Sequence, residues 1–376
     1  MRVLFIGLKV GAGLISICQS VKNELEKTEG VETDYVDIYS ENEKMAKFSS
    51  EFYYKLVKLF PRLVAFGQKF AYNKSLKSKE KHGFINNDVK VCKEEVLKFI
   101  NRYKPDVIYT PMNFVAIALD KLIDEGKTNV KYVYQVPDFM LAYYVQLIRH
   151  CSFLVSSCEE ITNLLVEHGF DKEKIRTFGI PINPKFHQKV DRAQVLKKMN
   201  FPDKKFILIS NGGAGFANNC KIVKHFYDKI VDYYLIVVNG KNKASESEIN
   251  SFIKENNIKN VINLGFVDNM NELMAISDIM IGKCGSSTLC EASINHLKYI
   301  ALDNNLFPEI KNIEFLKNRQ ASIVVKNTKE MSEALKLCIS GSDKIKAIEK
   351  NFSKINIENS TEKIAQLILS LEENKN

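Results

Sequence analysis

The sequence predicts an α/β protein of two domains built on parallel sheets, and three observations carry that prediction. Apolar runs of strand length alternate with runs of helix length along most of the chain, the pattern of parallel sheets covered by helices on both faces. Glycine-rich turns follow an early strand in each half, at Gly7–Gly13 and Ser210–Gly215. At 376 residues the chain is long for one domain and fits two.

In order, Val3–Ile6 reads as a buried strand, the glycines of 7–13 as a loop, and Leu14–Lys27 as a helix. Val31–Ile38 is a second strand. After a long basic insertion come a helix at Asp88–Tyr103, a strand at Asp106–Thr110 and a helix at Val115–Asp124. Val130–Val136 and Phe153–Val155 are strands, Ile161–His168 a helix, and Ile175–Phe178 the last strand of the first half. Gly179–Pro184, with two prolines and a glycine, interrupts the pattern, and Phe206–Ser210 restarts it, so a boundary is expected near 185–200. The expected domains are 1–190 and 191–357, followed by a helix over 358–376.

Composition removes several classes. Apolar residues make up 45% of the chain, enough for sizeable cores, yet no run of 18 apolar residues reads as a membrane span. The N-terminal stretch MRVLFIGLKVGAGLISIC is interrupted by Lys9 and lacks a cleavage site, so a strand and loop fit better than a signal peptide. Eight scattered cysteines form no C-x-x-C pair and no zinc spacing, which points to free thiols in a reducing, cytoplasmic setting. The net charge of +9 calls for an anionic partner, either a membrane surface or a nucleic acid.

The most informative stretch is Asp278–Asn312. Ile279–Ile281 reads as a strand, Gly282–Ser286 as a turn of small residues, Ser287–Asn295 as a helix, and Lys298–Leu302 as the next strand. At such a strand-to-helix turn, free backbone N–H groups and the helix dipole favour a phosphate. Gly285, Ser286, Ser287 and Thr288 leave room for one and add hydroxyl donors, while Glu291 is spaced to accept hydrogen bonds from a ribose diol. An ordinary helix start, with Ser287 as N-cap and Glu291 as a first-turn acid, uses the same residues.

Gly285-Ser286-Ser287-Thr288-Leu289-Cys290-Glu291-Ala292 resembles the GGxTxxEA signature of sugar-nucleotide glycosyltransferases with two facing Rossmann-like domains, the GT-B fold. Within that fold it resembles the diacylglycerol glycosyltransferases, the monogalactosyl- and glucosyl-diacylglycerol synthases, related to the peptidoglycan N-acetylglucosaminyltransferase. That group's E-x-x-N loop is matched by Glu309 and Asn312. The resemblance implies that Glu291 holds the ribose, that Ser287 and Thr288 approach the phosphates, and that Glu309 and Asn312 face the sugar. It implies that Gly212, Gly213 and Gly215 lie under the diphosphate and that backbone around Phe266, in Val261–Val267, reads the uracil. It implies further that the last helix braces the first domain.

Asp138, in Val136-Pro137-Asp138-Phe139-Met140-Leu141, follows a strand, where α/β sheets place ligands. It could take the acceptor hydroxyl's proton or cap the next helix. The resemblance implies the base, matching a T-D-F-x-L motif in which Pro137 stands for the threonine. Gly11 and Gly13 resemble a G-x-G-H loop on the acceptor side, with Leu14 replacing the histidine. The family's His and Trp near Asp138 appear as Ala142 and Val145, and a phosphate-contacting Arg as Asn183, for which Lys283 is a candidate replacement.

Lys44–Lys81 holds ten basic residues against two acidic ones, nearly the whole charge excess of the chain. Aromatic and aliphatic residues are interleaved, which reads as a membrane-surface segment; a core-facing stripe with a solvated basic back is the competing account. Phe52, Lys55, Lys58, Phe60, Arg62 and Lys69 are the candidate anionic-membrane contacts.

The expectation is an inverting, UDP-sugar-dependent hexosyltransferase acting on a lipid such as diacylglycerol, peripheral on the cytoplasmic face of the membrane. No D-x-D motif appears, so no metal or other cofactor is expected; nor is a nucleic acid, since no nucleic-acid fold motif accompanies the charge. A UDP-sugar 2-epimerase and a non-catalytic relative are the alternatives.

Overall fold

The computed structural model describes residues 1–8, 13–40, 59–77, 83–212, 219–230, 232–303, 307 and 309–373. The chain forms two compact units, one of Met1–Asn183 with Ile357–Asn376 and the other of Pro184–Asn356.

The first unit holds strands β1 (Arg2–Gly7), β2 (Glu32–Asp37), β3 (Val107–Thr110), β4 (Lys131–Gln135), β5 (Phe153–Ser156) and β6 (Ile175–Thr177). Its helices are α1 (Gly13–Leu25), α2 (Pro61–Lys77), α3 (Gly83–Tyr103), α4 (Asn113–Asp124) and α5 (Glu159–Glu167). The strands pair in parallel in the order β2-β1-β3-β4-β5-β6. Val3–Ile6, Val107–Tyr109 and Tyr132–Tyr134 are buried along their length, as strands covered on both faces must be.

The second unit holds α6 (Arg192–Met199), β7 (Lys205–Ser210), α7 (Asn219–Phe226), β8 (Tyr233–Val238), α8 (Lys243–Glu255) and β9 (Val261–Leu264). It continues through α9 (Met270–Ala275), β10 (Ile279–Lys283), α10 (Ser286–Ile294), β11 (Lys298–Leu302), α11 (Glu309–Asn318), β12 (Ile323–Val325), α12 (Thr328–Ser340) and α13 (Asp343–Phe352). Its sheet is parallel in the order β12-β11-β10-β7-β8-β9, around a core of Ile207, Ile209, Leu235, Val237, Ile279, Ile281 and Ile300. The last helix, α14 (Ser360–Glu373), belongs to the first unit. There it packs on α1, Lys131 Nζ donates to the Leu371 carbonyl at 2.7 Å, and Thr361 Oγ1 donates to the Ile182 carbonyl at 2.8 Å.

The strand order fixes where each sheet binds a ligand. In the second sheet the chain runs outward from β7 through β8 to β9, then crosses to the other side of β7 at β10. In the first it runs from β1 to β2 and crosses to β3. Connections diverge at these two switch points, and α/β sheets receive ligands at such points, at the carboxyl ends of the strands. The β7/β10 contact admits only glycine at position 282: a Cβ there would lie 2.7 Å from the Ser210 carbonyl oxygen and 2.8 Å from the Tyr299 hydroxyl.

Candidate active site

The turn from β10 into α10 sits at the second switch point. Its peptides are fixed from behind: Tyr299 Oη donates to the Lys283 carbonyl at 2.7 Å and Asn312 Nδ2 to the Cys284 carbonyl at 2.8 Å. The first-turn N–H groups of an α-helix have no acceptor within the helix, so a ligand's oxygens would be received here. Gly285, in extended conformation, precedes the helix, which therefore starts one residue earlier than the sequence suggested. Ser287 is then a first-turn residue and not the cap, because no side chain caps α10. Its hydroxyl is buried and has no hydrogen-bond partner among the described residues. A buried hydroxyl without a partner is costly unless a ligand completes it.

Lys283 brings three elements together. Its Nζ pairs with Glu309 Oε1 at 2.7 Å, and Glu309 is buried at the start of α11. Its side chain also fills the space over Gly212, where a Cβ would meet Lys283 Cε at 2.5 Å and Nζ at 3.5 Å. Gly212 has φ +77°, a left-handed conformation natural to glycine. The ammonium thus lies beside the turn after β7 and the turn after β10, where a phosphate would sit. Glu309 and Asn312, expected to face a sugar, brace these two turns through Lys283 and Cys284. Gly213 and Gly215 lie outside the described residues.

Glu291 projects from the second turn of α10. It is half-buried at its surface, but enclosed deeply enough that desolvation pushes its carboxyl up to about 8, against an opposing pull from the Lys185 ammonium. The folded protein holds this proton where the unfolded chain, near the ordinary value of 4.5, has released it. Stability is therefore fully present below about 4.5 and falls as pH rises towards about 8. Glu291→Gln is expected to flatten that part of the pH–stability profile, which urea unfolding between those limits measures. Phe266, in the segment after β9, is 63% exposed.

In the first unit Asp138 lies in the loop after β4, half-buried. Its backbone is held by Ser157 Oγ, which donates to the Asp138 carbonyl at 2.8 Å, while Gln135 Nε2 ties Val136 to Gly179 through their carbonyls at 2.8 and 3.1 Å. The next helical turn, Val145–Leu147, is preceded by Tyr144, so Asp138 does not cap it. Tyr134, which the sequence did not single out, has a buried hydroxyl without a partner; burial and the nearby Asp138 carboxylate raise its ionisation far above the usual phenol range. Gly13 opens α1 as an exposed residue, and Gly11 lies outside the described residues.

Helix α2 has two contrasting faces. Ala65, Tyr72 and Ser75 are buried; Tyr143 Oη donates to the Gln68 carbonyl at 3.2 Å and Gln146 Nε2 to the Ser75 carbonyl at 2.6 Å. On the other face Leu59, Leu63, Phe66 and Phe70, spaced by four, three and four residues, form one exposed apolar stripe, with Phe66 at 72% exposure. Phe60 and Lys69 are exposed beside it. Arg62 lies on the helix, its side chain outside what is described; Phe52, Lys55 and Lys58 lie outside the described residues. Among the described residues no helix is long and apolar enough to cross a membrane, and no group of three or more His, Cys, Asp or Glu is arranged to hold a metal ion.

Two parallel six-stranded sheets, with a phosphate-type turn at a switch point, define an α/β protein of the GT-B fold. Residues 15–182 match the monogalactosyldiacylglycerol synthase family model, and residues 206–368 the glycosyltransferase family 28 C-terminal domain. The chain thus matches, one after the other, a monogalactosyldiacylglycerol synthase domain and a glycosyltransferase family 28 C-terminal domain. It is 25% identical to a processive diacylglycerol beta-glucosyltransferase of Bacillus subtilis over 98% of this chain and 94% of that one. Among solved structures, Acinetobacter baumannii MurG aligns with a TM-score of 0.63 at 12% identity over 98% of this chain and 99% of that one. The Neisseria meningitidis UDP-GlcNAc 2-epimerase bound to UDP-GlcNAc aligns with a TM-score of 0.63 at 14% identity over 98% and 100%. Likeness at those identities speaks for the fold alone.

Proposed function

We propose that the protein transfers a hexose from a UDP-hexose to the hydroxyl of a diacylglycerol-type lipid, with inversion, at an anionic membrane surface. The observation that carries the donor assignment is the β10–α10 turn, where a partnerless Ser287 hydroxyl, first-turn amides and the Lys283 ammonium converge. There the diphosphate accepts hydrogen bonds from Ser287, Thr288 and the turn of Gly285 and Ser286, and Lys283 offsets the charge that grows on it as the sugar leaves. Glu291 accepts from the ribose diol. Gly212, Gly213 and Gly215 let the backbone approach the diphosphate, and the segment at Phe266 reads the base. Glu309 and Asn312 hold the sugar-side loop in place. Asp138 takes the proton of the attacking lipid hydroxyl, with Gly11 and Gly13 on the acceptor side.

The lipid acceptor is supported by the name of the Bacillus subtilis relative and by the outer face of α2. A reaction on a soluble nucleotide sugar, as in an epimerase, has no use for an exposed row of Leu and Phe beside lysines. A row of this kind enters the headgroup region of a bilayer while the charges attract anionic lipid.

Three results test this reading. UDP release from UDP-glucose should rise when diacylglycerol vesicles are added; release indifferent to lipid contradicts a lipid acceptor. Glu291→Ala should weaken UDP binding by about 1–3 kcal/mol in a folded protein, as read by calorimetric titration. Phe66→Ser with Phe70→Ser should weaken vesicle binding at low and high salt alike, by about 1.5–3 kcal/mol for each side chain that inserts fully. Replacing Lys69, Lys74 and Lys77 by Gln should act only at low salt, because charge attraction is screened and insertion is not. Vesicle co-sedimentation at two salt concentrations separates the two, and UDP affinity should be unchanged in the phenylalanine and lysine variants.

A further inference from the structure

A row of asparagine side chains crosses the carboxyl edge of the second sheet. Asn211 follows β7, Asn219 opens α7, Asn239 follows β8 and Asn263 lies on β9. Asn211 Nδ2 donates to Asn219 Oδ1 at 2.6 Å, Asn219 Nδ2 to Asn239 Oδ1 at 3.1 Å, and Asn239 Nδ2 to Asn263 Oδ1 at 2.7 Å. Backbone carbonyls fix the orientation of three of these amides. Asn219 Nδ2 also donates to the Val238 carbonyl at 3.3 Å, Asn239 Nδ2 to that of Leu264 at 3.0 Å, and Asn263 Nδ2 to that of Glu246 at 2.9 Å. A carbonyl only accepts, so none of the three amides can be flipped. Asn219 must then present its oxygen to Asn211, and Asn211 must answer with its NH₂.

The row therefore has a polarity, and it ends on an acceptor. Asn211 is 1% exposed, and its Oδ1 is buried with no hydrogen-bond partner among the described residues. It adjoins Gly212, over which Lys283 lies. Phosphate oxygens bring no proton to an acceptor, whereas sugar hydroxyls do. The ribose diol is assigned to Glu291, and the base to the segment after β9, on the far side of β8 from β7.

We propose that the Asn211 carboxamide oxygen accepts a hydrogen bond from a hydroxyl of the transferred hexose, which makes Asn211 a specificity-determining residue of the donor site. The proposal rests on the nucleotide-sugar reading above and adds to it the residue that senses the sugar. It is tested by calorimetric titration of UDP, UDP-glucose and the four monodeoxy UDP-glucose analogues into the native protein and Asn211→Ala. UDP affinity is expected to stay within about twofold, while UDP-glucose binding weakens roughly 2- to 12-fold, the worth of one such hydrogen bond. One deoxy analogue should lose a similar factor on the native protein and nothing further on the variant, the signature of a pairwise contact. If UDP and UDP-glucose weaken equally, or every deoxy analogue loses as much on the variant as on the native protein, Asn211 only braces the sheet edge and the proposal fails. A native protein that does not bind UDP overturns the nucleotide-sugar reading itself, a separate result. Should Asn211→Ala not fold, Asn211→Ser keeps a donor towards Asn219 and carries the same comparison.

Discussion

Asp138→Asn is expected to lower turnover by roughly 10²–10⁴ while UDP affinity stays near the native value. The substitution keeps the shape of the side chain and removes its ability to take a proton. The peptide around it is held by Ser157 and, through Val136, by Gln135, so the loop has little reason to move when the charge is lost. Steady-state transfer kinetics with a parallel UDP titration measure both quantities. Turnover that survives would make Asp138 a structural acid and send the search for the base elsewhere. Loss of UDP affinity along with turnover would mean that the variant is damaged as a whole.

Lys283→Met carries the second large effect and acts in two ways. It removes the 2.7 Å lysine partner of the buried Glu309 carboxylate. Because Lys283 keeps about a quarter of its side chain exposed, the expected stability loss is about 1–3 kcal/mol, below that of a fully buried pair. It also takes the cation away from the diphosphate, which should weaken UDP binding roughly 10- to 100-fold and leave uridine binding unchanged. The double variant Lys283→Met/Glu309→Gln separates the effects: stability should recover because no buried carboxylate has lost its lysine, and UDP affinity should not. Recovery of both would make the lysine a purely structural partner of Glu309.

What the sequence disclosed follows from how local each feature is. The β10–α10 turn is written in consecutive residues, Gly285 to Glu291, so small side chains at a strand-to-helix junction were enough to locate it. The one-residue shift of the helix start came from Gly285, whose extended backbone serves as cap where a serine was the expected choice. Lys283 over Gly212, with Glu309 beside it, joins turns after three strands, and only the strand order places those turns together. Asn211 was equally hidden: its role depends on amides at 219, 239 and 263, and no spacing rule links those positions. In the first unit the basic, aromatic composition of Lys44–Lys81 was legible, but not which face of α2 would stay uncovered. That depends on Tyr143 and Gln146, which lie far along the chain and hold the opposite face.

The central claim is a hexose transferred from a UDP-sugar to a lipid. The most direct measurement incubates the purified protein with UDP-glucose and anionic vesicles containing diacylglycerol, followed by mass spectrometry of the extracted lipids. The account predicts hexosyl-diacylglycerol with a β linkage, formed in step with UDP release and lost in Asp138→Asn. Lipids that remain unglycosylated while UDP-GlcNAc supplied in the same assay is converted to its 2-epimer would contradict it.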